Sequence, residues 1–381
     1  MNAAVERALV VGAGIGGLTA AAALGQRGIQ VDVVDIKAEN AVLGVGLSQP
    51  GNALRALRSL GVYEEVAAVG FVWDRRVFRN NHGKLRAVVP SLLGGAGVPA
   101  NIALARPALH RILTRAADRA GAKIVMDCTI ADLHNDPDGV DIAFSDGRSD
   151  RYDLVVGFDG LRSPLRSRLF GGSYDPVFTG YSVWRITCPR PDTITGITLF
   201  QGEHSKAGLC PLSDDEMYLL HVTPEPGNPR YDPADFATML VARMQDYGAE
   251  PAAVRDQIRP DSTIVYSPLE EVLVPSPWHR GRVVIAGDAA HASTPHLTQG
   301  AAMAVEDAVV LAECVAGSTS VDEALTDFGR RRIPRARFVH QRSRAILMNE
   351  MVHDNAATSD SYERVMRDRM AATDLYLRQP A

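Results

Sequence analysis

The chain is short of cysteine, of one-signed charge and of long apolar runs. Its 381 residues hold four cysteines, Cys128, Cys188, Cys210 and Cys314, and no two of them form a CxxC pair. That spacing excludes a zinc ribbon or a redox dithiol, and no other metal-ligand pattern stands out. A disulfide scaffold makes no sense at this size, so a reducing, cytoplasmic setting is expected. Lysine plus arginine number 40 against 45 acids, a net charge of −5. No polycationic nucleic-acid binder has that balance, although a local basic patch remains open. No stretch reaches the ~20 apolar residues of a membrane span. Heptads, internal repeats and low-complexity segments are absent. With 46% apolar and 22% charged residues, the composition is globular rather than disordered. The length allows two or three domains.

One apolar stretch, residues 8–24, has the look of a secretory signal core. Against that reading, Glu6 sits where a basic flank is required, and the stretch contains Gly12, Gly14, Gly16 and Gly17. Ala8, Leu9, Val10 and Val11 read as a buried strand. A helix over residues 18–27 and a second strand over 29–35 follow. This is a βαβ unit carrying GxGxxG at Gly12, Gly14 and Gly17. The first glycine allows a tight turn, the second admits a pyrophosphate against the backbone, and the third lets helix and strand pack closely. A helix N-terminus offers free N–H groups and partial positive charge to that anion. Asp35 falls 18 positions after Gly17, near the ~20 expected of an acid that binds a ribose hydroxyl.

Two more segments repeat the theme. Residues 153–166 deliver a buried strand into Asp159 and Gly160, with Arg162, Ser163 and Arg166 beyond. Residues 282–301 do the same with Gly287 and Asp288. His291, Pro295, His296, Gln299 and Gly300 follow, and then a small-residue helix from about Ala301 to Val315. An acid ending a buried strand needs a partner, and a helix opened by Gly300 can face a developing anion.

These motifs carry a resemblance. The order GxGxxG, then Gly44-Val45-Gly46-Leu47-Ser48-Gln49-Pro50-Gly51-Asn52, Arg106, Asp159-Gly160, Gly287-Asp288 and an Arg-rich C-terminal helix spans nearly the whole chain. It resembles the single-component (class A) FAD-dependent aromatic hydroxylases of the para-hydroxybenzoate hydroxylase fold type. Salicylate, hydroxynicotinate and urate hydroxylases are the most similar among them. The fold implied is α/β: a Rossmann-like FAD-binding domain with an inserted β-sheet substrate domain and a C-terminal helical segment. FAD-binding segments then fall at 1–77, 99–176 and 279–320, the substrate domain at 78–98 and 177–278, and C-terminal helices at 321–381. Runs at 181–187, 196–201 and 217–222 read as antiparallel strands of the inserted sheet, and residues 233–247 as a helix.

The resemblance also implies roles. Gly12, Gly14, Ile15 and Gly17 hold the FAD diphosphate. Asp35, Ile36, Lys37 and Ile130 belong to the adenosine end. Arg106 and Asp288 reach the chain between, and Ser48, Gln299, Gly300 and Ala301 approach the flavin. Asp159 is linked to FAD and nicotinamide nucleotide binding, and Pro295 lies against the flavin ring. The activity implied takes NADH or NADPH and O2, forms a flavin C4a-hydroperoxide, and hydroxylates a small aromatic or heteroaromatic ring, phenolic or acidic. Candidate bases are His296, His204 and His221, with Tyr218 as a hydrogen-bond partner. Ser48, His204, Lys206, Cys210, Tyr218 and His296 form the expected substrate wall. Tyr218 and His221 have opposite strand parity, so only one faces the pocket, and Tyr218 is assigned inward. Lys206 suggests an acidic substrate by charge complementarity.

Residues 330–344 contain seven arginines and no acid. They read as a solvated helix face covering the FAD domain rather than as a nucleic-acid or membrane surface. Three rivals remain: a flavin-dependent halogenase, an NAD dehydrogenase and a non-catalytic flavoprotein. The halogenase signature Trp-x-Trp-x-Ile-Pro is missing, since Trp73, Trp184 and Trp278 stand apart. A plain dehydrogenase leaves Asp159-Gly160 and Gly287-Asp288 unexplained. Whether the chain is a monomer or a homodimer is not written in the sequence.

Overall fold

The computed structural model describes residues 4–40, 45–351 and 359–381; Gly44 of the sequence motif lies outside them. A six-stranded sheet forms one half. Its order is His279–Arg280, Val283–Ile285, Leu154–Gly157, Arg7–Val11, Gln30–Asp35 and Lys123–Met126, parallel except for the first pair. Leu154–Gly157 and Val283–Ile285 are buried at every position, the continuous apolar pattern of a parallel sheet covered on both faces. Three of its strands deliver Asp35, Asp159 and the Gly287-Asp288 pair from one end. The first helix is Ile15–Gly25, starting inside the glycine motif rather than at residue 18, because the last glycines of the loop already take helical conformation. It is apolar on all sides and packs against the helices Gly300–Gly317 and Arg106–Arg119. Gly25 permits that proximity, since a Cβ there would press into the Ala120 carbonyl.

The other half is a seven-stranded sheet ordered Ile264–Glu271, Val177–Pro189, Glu216–Pro224, Lys206–Pro211, Ile197–Gln201, Arg75–Asn80 and Leu85–Pro90. All neighbours are antiparallel except Ile197–Gln201 beside Arg75–Asn80. One face packs Trp184, Ile186, Phe200, Leu209 and Leu219 on Leu240 and Met244 at the helix Phe236–Arg243. Alternate residues, Cys210, Tyr218, Leu220 and Val222, point the other way. Four of these strands escaped the sequence reading: Arg75–Asn80 and Leu85–Pro90 lie where no strand was named, Lys206–Pro211 is buried at all positions and shows no alternation, and Ile264–Glu271 contains Pro268. The helix expected over 233–247 is shorter, a 3₁₀ turn Pro233–Asp235 followed by Phe236–Arg243. Small three-stranded sheets, Gly46–Pro50 with Asn101–Ala105 and Phe71–Trp73, and Ile130–Asn135 with Val140–Phe144 and Ser149–Tyr152, complete the β structure.

Two C-terminal helices, Val321–Met351 and Ser359–Arg378, lie across both halves. The arginine-rich segment is not a uniformly solvated face. Arg332 and Arg335 are buried, and they bind Asp307 and Glu306 of the helix Gly300–Gly317. Among the described residues, no helix is long and apolar enough to cross a membrane.

Candidate active site

A groove of about 250 Å³ runs over the end of the parallel sheet. Gly12, Gly14, Asp35, Ile36, Lys37, Ile130 and Asp159 line it, seven positions that the sequence had assigned to one nucleotide. The glycines differ in what they require. A Cβ at Gly12 would strike the Phe158 carbonyl, and one at Gly17 would strike the Gly12 carbonyl, whereas nothing lies within 4 Å of the position at Gly14. Gly14 therefore faces open space at the start of the helix Ile15–Gly25, where free N–H groups suit a diphosphate. Asp35 braces this loop: its carboxylate accepts from Ala13 N at 2.8 Å and Lys37 N at 2.9 Å. Ile36 is 71% exposed at the groove rim. Thr129 and Arg168 also line the groove and had no motif to announce them.

The two remaining strand-end acids behave differently. Asp159 accepts from Leu165 N at 3.0 Å, while its other oxygen is buried without a partner. Burial raises its pKa above the usual carboxylate range. Asp288 is exposed at the first turn of the helix Asp288–His291, so the argument that burial obliges it to find a partner does not hold there. Asp307 takes that structural role instead. It accepts from Gly287 N at 2.9 Å, His291 Nε2 at 2.5 Å and Arg332 Nε at 2.7 Å. Burial pushes its carboxyl up, but His291 and Arg332 outweigh this and hold it well below the usual range. The Gly287 loop is thus bolted to two helices, and His291 serves that bolt.

A second, mostly apolar cavity lies between the seven-stranded sheet and the 3₁₀ turn Pro295–Leu297. Phe78, Ile197, Leu199, Leu220 and Val222 form one wall, with Lys206 and Cys210 among them, and residues 295–298 form the other. Both ring nitrogens of His296 are buried without a hydrogen-bond partner. Burial, helped by Lys206, holds its pKa well below the ordinary histidine value. Tyr218 sits on the same sheet face, packed with Cys210, Leu212 and Trp73. Its phenol is pushed upward by burial and by Cys210. His221 occupies the opposite face, edge-on to Tyr247 at 5.2 Å. His204 lies exposed in the turn between Gln201 and Lys206, outside the cavity wall. The chain reverses there, and Lys206 two residues on is the side chain that enters. Arg185, which pairs with Leu220 across the sheet, is an additional half-buried cation near Tyr218 that sequence reasoning missed.

Outside both linings are Ser48, buried with an unpartnered hydroxyl, and Gln299, whose amide oxygen accepts from Asn52 Nδ2 at 3.0 Å. Gly300 opens the helix Gly300–Gly317 with open space before it, and Ala301 is half-buried behind. Arg106 is exposed at the start of the helix Arg106–Arg119. Ile15 is buried in the first turn of its helix.

A nucleotide groove over a parallel sheet, an apolar cavity against a second sheet, and a helix that starts at the cavity wall and packs on the glycine-motif helix are the parts expected of the flavoprotein monooxygenase class. The chain belongs to the FAD-binding-domain family, which matches residues 6–343. It is 32% identical over 333 residues to aurachin C monooxygenase/isomerase of Stigmatella aurantiaca, covering 86% of this chain and 85% of that one. It is also 32% identical over 340 residues to 2-heptyl-3-hydroxy-4(1H)-quinolone synthase of Pseudomonas aeruginosa, covering 88% and 87%. Klebsiella pneumoniae HpxO, solved with FAD and uric acid, superposes with a TM-score of 0.83 at 26% identity, covering 98% and 92%. The protein is an FAD-dependent monooxygenase of the para-hydroxybenzoate hydroxylase fold. The residues present fit FAD: the open cradle at Gly14 and the unpartnered oxygens of Asp159 and Ser48 are where a dinucleotide finds partners.

Proposed function

We propose that this chain uses NADH or NADPH and O2 to hydroxylate a small phenolic aromatic or heteroaromatic ring held between the seven-stranded sheet and Pro295. The balance is ring C–H, O2, NAD(P)H and a proton to ring C–OH, water and NAD(P)+. One observation carries the reading: residues 295–298 form a wall of the apolar cavity, and the helix Gly300–Gly317 that follows at once packs against Ile15–Gly25, the helix that the groove's glycine motif opens. The relatives named for a quinolone and the neighbour holding uric acid support a nitrogen heterocycle.

In this reading Gly12, Gly14, Ile15 and Gly17 hold the diphosphate. Asp35, Ile36, Lys37 and Ile130 flank the adenosine, and Arg106, Asp159 and Asp288 hold the linking chain. Ser48, Gln299, Gly300 and Ala301 meet the flavin. Bound FAD supplies the redox chemistry, accepting a hydride and activating O2. The chain's own work is to bind, orient and keep water out. The Gly300 helix start stabilises negative charge beside it. Phe78, Leu199, Leu220 and Val222 exclude water from the ring. His296, neutral at pH 7, accepts a hydrogen bond from the substrate hydroxyl. Its lowered pKa makes it an acceptor that orients the phenol, and a weaker proton acceptor than a histidine tuned near neutrality. Four buried, unpaired cysteines support a cytoplasmic location.

The test is aerobic NADH and NADPH oxidation by FAD-loaded protein over a panel of phenols, quinolones and heteroaromatic acids, with product mass under ¹⁸O2. One ring that accelerates oxidation and gains one labelled oxygen is the expected result. Oxidation that yields only hydrogen peroxide with every ring would overturn the proposal.

A further inference from the structure

One acidic residue lines the ring cavity and has no part in that reading. Glu350 lies near the end of the helix Val321–Met351, 144 positions from Lys206. Its carboxylate is ion-paired with Lys206 Nζ and stands 3.5 Å from His296 Nε2. All three side chains line the cavity. Glu350 is not a swinging surface group. Its backbone carbonyl accepts from Gln201 Nε2 at 2.7 Å. Leu347, one turn earlier, is buried against Val183, Val222 and Leu269, and Ile346 packs at Phe78 and Met370. The helix end is fastened to the sheet, so the carboxylate stays within a side chain's reach of the cavity.

Of the other cations on this sheet face, Arg76 lines the cavity and is paired with Asp374 at 3.2 Å, while Arg185 stands beside Tyr218 outside the lining, and His296 is neutral at pH 7. Lys206 and Glu350 therefore leave the lining of the cavity with no net charge. A carboxylate brought in by a substrate would add an unpaired negative charge to an apolar enclosure, which is strongly unfavourable. A neutral ring meets no such penalty. The groups on offer are an anionic acceptor, a cationic donor and an imidazole with both nitrogens unpartnered. They suit a ring that presents an N–H or O–H beside a carbonyl.

We propose that Glu350 is the specificity-determining residue for substrate charge, and that the cavity takes an uncharged oxo- or hydroxy-heteroaromatic ring and rejects the matching carboxylate. This rests on the cavity being the ring site, and it reverses the acidic substrate that Lys206 alone suggests. The free volume, about 60 Å³, is below the roughly 150 Å³ of a cavity that holds benzene. Uncharged lining side chains such as Met370 must therefore shift as a ring enters, while the fastened helix end keeps Glu350 at the cavity.

The test titrates the oxidised, FAD-loaded full chain with 4(1H)-quinolone and with 4(1H)-quinolone-2-carboxylate, reading the flavin absorption spectrum without reductant. The wild type is expected to bind the neutral ring at least tenfold more tightly. Glu350→Gln should move that ratio at least tenfold toward the carboxylate, Lys206→Met should move it the other way, and Glu350→Asp should keep the wild-type preference. Melting of each FAD-loaded variant reports that the fold is kept. A wild-type preference for the carboxylate, or a ratio unmoved by Glu350→Gln, overturns the charge rule and leaves the hydroxylase reading standing. No spectral change with either ring, with FAD bound, overturns the cavity as ring site and the charge rule with it.

Discussion

The groove and the cavity are built by different means. The groove is backbone: a glycine turn in which Gly12 and Gly17 leave no room for a Cβ while Gly14 stays open, and the ends of parallel strands. The cavity is side chains, drawn from the segments 76–78, 197–222, 295–298 and 346–370. A backbone site is intolerant and shared by every chain that binds the same nucleotide. A side-chain site can change its ligand one residue at a time. The largest expected effect divides the glycine motif itself. Gly17→Ala drives a methyl into the Gly12 carbonyl, and FAD retention and the folded state should both be lost. Gly14 has ordinary extended backbone and open space around it, so Gly14→Ala should melt like the wild type without FAD. Only the FAD-induced rise in melting temperature should shrink, because the methyl fills the diphosphate's place. Equal behaviour of the two variants would break the comparison.

Next in size is the bolt behind the groove. Arg332 is fully buried and pairs with Asp307 at 2.7 Å and Glu306 at 3.0 Å. Arg332→Met leaves two buried carboxylates short of a partner, and should cost about 3–5 kcal/mol in denaturant unfolding. Loss of FAD affinity should accompany it, since Gly287 N is held by the same Asp307. A variant that unfolds like the wild type would show that the Gly287 loop stands without this bolt.

The same division explains what could be read in advance. The first βαβ unit, Asp159 and the Gly300 helix were visible because each is announced within about 20 residues by local pattern. The cavity was only half visible. Pro295 and His296 come with the glycine turn, but Lys206–Pro211 shows no alternation, so His204 and Lys206 could not be told apart as turn and strand. Glu350 carries no signal at all, being placed by packing of a helix more than a hundred residues away. Asp288 and the arginines show the reverse error: an acid at a strand end proved exposed, and arginines in a polar run proved buried. Burial is a tertiary property, and neither residue type declares it.

A smaller effect sharpens the contrast between the two faces of the seven-stranded sheet. His221, on the face away from the cavity, is buried with neither nitrogen hydrogen-bonded. Burial, helped by Arg243, lowers its pKa to about 4, against ~6.5 unfolded. Between those values the unfolded chain binds the extra proton, so stability falls as pH drops through this window, by up to roughly 3 kcal/mol. His221→Phe should flatten the pH 4–6.5 slope of the unfolding free energy by that share. His296→Phe, in the cavity, should also alter ligand-induced flavin spectra, which His221→Phe should leave alone.

The smallest effect belongs to the arginine-rich helix, and it tests whether any of that charge is free to act on a partner. Arg332 and Arg335 are committed to Asp307 and Glu306, Arg331 to Glu313, Arg330 to Asp327 and Arg344 to Glu271. Arg342 donates to Thr373 Oγ1 at 3.2 Å. Among the seven arginines of this segment, all of them described, Arg337 alone is exposed with no ion pair or hydrogen bond. One unpaired cation does not make an anionic-polymer or membrane surface, which needs several acting together. Arg337→Ala should therefore shift unfolding by less than about 0.5 kcal/mol and leave heparin retention unchanged. A clear drop in retention would mean that the exposed ion pairs of Arg330 and Arg344 open to form a basic face, and that this helix does more than fasten the two halves of the site together.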